Sequence, residues 1–160
     1  MTQFKKAVHL APRFDEARRN LAQAHIALGQ PDKAETLLLH LVEDGPADEH
    51  AWYLLAQCQM MLGKLDLAES SITEAIRVAS SPARAFLLRA AIRDRAGRIK
   101  DSISDFENVL QTEPNSIDAL VGIALPLARQ TRYDEALAAI RRAVSLAPDH
   151  SQARLRLAVT

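Results

Sequence analysis

The stretch EHAWYLLAQCQMMLGKLDLAESSITEAIRVASSP, residues 49–82, decides the fold. Ile72, Ala75 and Ile76 fall at the three- and four-residue spacing of one helix face. Gly63 interrupts the apolar pattern, and glycine enters the left-handed backbone of a helix–helix turn at least cost. Pro82 follows the second apolar segment and helps to stop it. The 34 residues therefore read as a helix, a glycine turn, a second helix and a stop.

The same unit recurs on both sides. Gly29, Gly63 and Gly97 are 34 residues apart, as are Pro12 and Pro46, and Pro114 and Pro148. Ala22, Ala56, Ala90, Ala124 and Ala158 keep this step, and Ala34, Ala68, Ser102 and Ala136 form a second column. Ala7, Leu41, Ala75, Val109 and Ala143 form a third. Columns of small residues mark places where helix axes approach too closely for larger side chains.

This pattern resembles the tetratricopeptide repeat. The second unit carries the likeness in Ala51-Trp52, Leu55-Ala56, Gly63, Ala68, Ile72, Ala75 and Ser80. The third carries it in Phe86, Ala90, Gly97, Phe106 and Pro114, and the fourth in Ala119, Ala124, Tyr133, Ala136, Ala143 and Pro148. The resemblance covers essentially the whole chain. It implies an all-α fold, a right-handed superhelical solenoid of antiparallel helix pairs.

In the family's register, full repeats span 15–48, 49–82, 83–116 and 117–150. First helices are expected near 15–28, 49–62, 83–96 and 117–130, and second helices near 31–44, 65–79, 99–112 and 133–147. Residues 2–14 read as the second helix of an earlier, partial repeat, because Ala7-Val8-His9-Leu10-Ala11-Pro12 parallels Ala143-Val144-Ser145-Leu146-Ala147-Pro148. Residues 151–160 read either as a partial fifth repeat or as a cap helix.

Composition limits the function. The chain has 160 residues, with 20 basic and 20 acidic side chains, and is 48% hydrophobic, which excludes a disordered chain. A net charge of zero argues against a dedicated nucleic-acid binder. A single cysteine, Cys58, excludes an internal disulfide and any cysteine-cluster metal site, and its place on the packed face of a first helix makes it a buried, inert thiol. No apolar run reaches the roughly 20 residues of a membrane span. Met1 to Pro12 lacks the apolar core of a signal peptide. A cytoplasmic location is expected, and 15 arginines against 5 lysines hint at a GC-rich bacterial genome.

No phosphate-binding glycine loop, nucleophile elbow or zinc-protease helix is present. The five histidines include no pair at the i, i+4 spacing. No catalysis, cofactor or metal is expected.

By resemblance, the first helices line a concave groove that takes peptides or helices of partner proteins. The matching positions here are Arg19 and Gln23 in repeat one, and Tyr53, Leu54, Gln57, Met60 and Met61 in repeat two. Repeat three supplies Arg84, Leu87, Leu88 and Arg95, and repeat four Val121, Leu125 and Arg129. The middle of this set is apolar, and methionine suits an adaptable surface. The competing reading packs several of these side chains between adjacent helices. Residues 1–80 carry 8 basic and 11 acidic side chains, net −3, and residues 81–160 carry 12 and 9, net +3. Arg84, Arg95 and Arg129 can each hold a carboxylate.

The expected function is a protein-interaction scaffold for an acidic or amphipathic peptide. The alternative is a recognition or oligomerisation arm of a larger enzyme, such as a glycosyl- or sulfotransferase. A second copy filling the groove would give a homodimer. The carboxylate clamp of chaperone-binding members is not matched, because Leu54 and Leu88 stand where it needs polar groups.

Four positions break the pattern. Arg89 and Arg93 occupy sites that are usually apolar or aromatic, with Asp101 and Asp105 as candidate partners. Pro126 falls inside a first helix and is expected to bend it, with Gly122 letting the backbone relax. Thr131 replaces the turn glycine, which makes the fourth hairpin the least regular.

Overall fold

The computed structural model describes residues 2–44, 48–151 and 153, with residues 2–14 and 44 described by their backbone. Among the described residues it contains eight α-helices and no strand: α1 (Thr2–Ala27), α2 (Pro31–Asp44), α3 (Glu49–Met61), α4 (Leu65–Val78), α5 (Ala83–Arg95), α6 (Ile99–Thr112), α7 (Ile117–Arg129) and α8 (Tyr133–Leu146). The chain is an all-α helical repeat. It forms two compact units, Met1–Ala79 and Ser80–Thr160. This boundary also separates the acidic half of the sequence from the basic half.

The turns inside the helix pairs share one hydrogen-bond pattern. The amide of Gly63 donates to Met60 O, and that of Lys64 reaches back to Gln59 O at 2.9 Å. Gly29-Gln30, Gly97-Arg98 and Thr131-Arg132 make the same two bonds. This is the Schellman ending, which needs a left-handed residue just past the helix. The three glycines adopt φ of 67° to 78°, and Thr131 adopts φ 60°. The fourth turn is thus as regular in its bonds as the others, with a β-branched residue in the glycine conformation.

The small-residue columns lie where the helices of each pair meet. Ala22, Ala34, Ala56, Ala68, Ala90, Ser102, Ala124 and Ala136 are all buried. Ser102 satisfies its hydroxyl by donating to Ala90 O at 2.8 Å across this close approach. The core of the first unit gathers Leu38 and Leu41 from α2 with Leu54, Leu55 and Cys58 from α3. The core of the second gathers Ile103, Phe106 and Val109 from α6 with Ile123 and Leu127 from α7 and Ile140 from α8.

One expectation about proline needs correction. The stop at Pro12 is absent, because α1 runs unbroken from Thr2 to Ala27, so residues 2–14 do not form a separate helix. Proline's fixed φ is compatible with a helix, although inside one it removes a backbone hydrogen bond and crowds the carbonyl four residues back. At the matching Pro148 the chain does turn: α8 ends at Leu146, and Ala153 is buried against Leu120, Val121 and Ala143. At α1 the matching residue, Ala17, is exposed. Pro126 lies within α7, where the sequence placed it, and the helix continues to Arg129. Gly122 serves Phe106: a Cβ there would lie 2.4 Å from the ring carbon Cε1. The fifth-repeat reading of residues 151–160 lies largely outside the described residues.

Candidate functional site

In the first unit the first helices α1 and α3 lie side by side. Asp48 sets the start of α3, its Oδ1 accepting the Ala51 amide at 2.7 Å. Its other oxygen receives Arg19 of α1, so this arginine is already engaged within the unit. Tyr53, Gln57 and Met60 follow one another at helical spacing on α3 and are half-buried. Met61 is 43% exposed, and Gln23 is also exposed. Leu54 differs from expectation, being buried in the core with Ala22, Ala34 and Leu38.

In the second unit α5 and α7 are the adjacent first helices. Arg84 and Arg95 are exposed, and Leu87 is half-buried against the core. Leu125 is 41% exposed. Arg129 joins the two helices, its Nη1 donating to Asp94 Oδ1 at 2.7 Å. Leu88 and Val121 are buried, Val121 against Leu120, Ala143 and Ala153. The apolar strip is therefore shorter than the sequence implied, because Leu54, Leu88 and Val121 belong to the core. Periodicity alone cannot separate these seam positions from surface ones, since a neighbouring helix decides which is covered.

The Arg89–Arg93 break resolves into an ion triad. Arg89 holds the Asp105 carboxylate through Nε at 3.0 Å and Nη2 at 2.7 Å, and Arg93 Nη1 adds a bond at 2.8 Å. The backbone carbonyl of Asp101 also accepts from Arg93, at 3.4 Å. The guanidinium of Arg89 also lies 5.1 Å from the centre of the Phe86 ring. Asp105 is buried and thereby consumed in structure, along with both arginines.

Cys58 is buried, and burial, with a smaller push from the Glu35 carboxylate, raises its thiol to about 12. Such a thiol carries no thiolate at neutral pH and is no nucleophile. Among the described residues no three His, Cys, Asp or Glu side chains are grouped to hold a metal ion. Among the same residues no helix is long and apolar enough to cross a membrane.

One feature escaped the repeat pattern. An open depression of about 620 Å³ lies between Trp52 of α3 and one face of α4, where Asp66, Glu69 and Glu74 alternate with Ser70 and Thr73. The three- and four-residue spacing of those polar side chains was its only trace in the sequence. Glu74 is paired with Arg77 at 2.8 Å.

Models of the tetratricopeptide repeat match residues 1–58, 49–82 and 121–160. No curated protein sequence matches the chain. Among solved structures, the chain is similar to MamA, with 22% identity and a TM-score of 0.78 over 89% of this chain and 84% of that one. It is similar to YrrB, described as having an unusual peptide-binding site, with 18% identity and a TM-score of 0.78 over 96% of this chain and 79% of that one. It is also similar to PilF of Pseudomonas aeruginosa, with 16% identity and a TM-score of 0.81 over 91% and 66% of the two chains. At these identities the likeness is one of fold.

Proposed function

The chain belongs to the tetratricopeptide repeat family, and we propose that it is a protein-interaction scaffold without catalysis of its own. Its binding surfaces are the outward sides of the first helices, α1 with α3 in one unit and α5 with α7 in the other. The observation that carries this reading is the pair Met61 and Leu125. Each unit leaves a large apolar side chain of a first helix in water, beside half-buried companions, where a partner would gain from covering it. The peptide-binding site of YrrB, a protein of similar fold, supports the same use of these repeats.

The ligand is an amphipathic segment with acidic side chains. In the second unit Leu87 and Leu125 offer apolar contact, and Arg84, Arg95 and Arg129 lie on the same helix pair. The net +3 charge of this unit favours an acidic partner through rim contacts and a faster approach. In the first unit Tyr53, Gln57, Met60 and Met61 form the contact face, with Gln23 beside it on α1 and Arg19 holding α1 to the start of α3.

The test is selection of displayed peptides on the intact protein, followed by binding to the Met61→Glu and Leu125→Glu variants. Both sites are exposed, so the variants keep the fold. Acidic amphipathic sequences should be enriched and should lose at least tenfold in affinity for one variant or the other. Enriched peptides that bind both variants as well as the parent would refute this surface.

A further inference from the structure

The structure makes one contact set twice. Leu38 and Leu41 of α2 pack with Ala51, Leu55 and Cys58 of α3. Two repeats later, Phe106 and Val109 of α6 pack with Ala119 and Ile123 of α7. One repeat before the first set, the same positions are Phe4 and Ala7 on one side and Ala17, Leu21 and Ala24 on the other.

The second half of that earlier set is present and uncovered. Leu21 is 49% exposed, against 1% for Leu55 and 4% for Ile123. Ala17 and Ala24 are exposed too, and Leu28, just past the end of α1, is exposed beside them. The first half sits on the same unbroken helix. Phe4 and Leu21 are therefore about 26 Å apart along an axis that rises 1.5 Å per residue. While α1 is straight, the two halves of one chain cannot meet.

We propose that a second copy of the chain supplies the missing half. Residues 2–11 of one copy lie on the Ala17–Leu21–Ala24 face of the other, which returns the contact in a two-fold exchange. The sequence of the segment identifies it as the occupant. It carries Phe4 and Ala7 in the register of Leu38 and Leu41, and its end, Ala7-Val8-His9-Leu10-Ala11-Pro12, repeats that of α8. Ala143, the α8 residue matching Ala7, packs on Ala153, the residue matching Ala17. Arg19 and Gln23 lie about 160° around the helix from Leu21, so the exchange leaves the proposed peptide surface open.

The experiment is oxidation of a Phe4→Cys/Leu21→Cys double variant of the whole chain, resolved by non-reducing electrophoresis and mass. Buried Cys58 stays out of the reaction, and each single variant serves as control. The expected product is a disulfide-linked dimer at twice the 17.6 kDa of one chain, formed by the double variant and not by the single ones. Light scattering of the unmodified protein should give the same doubled mass, halved by Leu21→Glu with helical content unchanged. A disulfide closed within one chain would show that α1 breaks near Pro12 and folds back on itself, which overturns the exchange. The absence of any disulfide, or a monomer mass for the unmodified protein, overturns it equally.

Discussion

Arg89 and Asp105 form a two-pronged ion pair inside the second unit, the guanidinium Nε and Nη2 at 3.0 and 2.7 Å from a carboxylate that is 1% exposed. Arg93 makes a third bond to the same group. Arg89 stands where the other repeats carry Leu21, Leu55 and Ile123, and the charge it brings is satisfied locally. Removing the acid strands two partly buried guanidiniums. Asp105→Ala is expected to cost about 3–5 kcal/mol, seen as a lower midpoint in urea. Replacing all three, as Arg89→Leu/Arg93→Tyr/Asp105→Leu, should recover much of that loss, because no charge is then left desolvated. An unchanged midpoint for Asp105→Ala would contradict the triad's structural role.

Gly122 and Phe106 are matched in shape. A methyl at Gly122 would stand 2.4 Å from Cε1 and 2.7 Å from Cζ of the ring, well inside contact distance. Gly122→Ala should destabilise the protein by about 1–3 kcal/mol in thermal melts. Phe106→Leu in that background should return part of the loss, since a shorter side chain leaves room for the methyl.

Thr131 holds the left-handed conformation that glycine holds in the other turns. That conformation costs a residue with a Cβ about 1–2 kcal/mol, partly offset by the greater freedom glycine has when unfolded. Thr131→Gly is expected to raise stability by about 0.5–1 kcal/mol, and Gly97→Thr to lower it, both measured by calorimetry.

Cys58 has its thiol raised from an ordinary value of 9.0 to about 12, first by burial and second by Glu35. In the fold it stays protonated while the unfolded chain's thiol ionises near 9. Its contribution to stability is therefore complete below pH 9 and falls as pH climbs toward 12. At pH 8 the native protein should react with a thiol reagent far more slowly than the urea-unfolded protein. Equal rates would place Cys58 outside the core.

The fold was legible because its marks are backbone requirements. Gly29, Gly63 and Gly97 answer a left-handed turn, and the alanine columns answer a close approach of axes. Both recur at one period whatever the surface does. The surface was only partly legible. Tyr53 and Leu54 are sequence neighbours, yet Leu54 is sealed by α1 and α2 side chains while Tyr53 stays half-open. Spacing cannot decide between them, since the outcome depends on a neighbouring helix. Pro12 and Pro148 sit in nearly the same words, yet only the second is followed by a turn, because only there does the next segment find a buried place.

The most direct test of the scaffold reading is an NMR titration of the protein with an acidic amphipathic peptide recovered by display. Shifts should concentrate on amides of α3 around Gln57–Met61 or of α5 and α7 around Leu87 and Leu125. Shifts confined to α2, α4, α6 and α8 would contradict it.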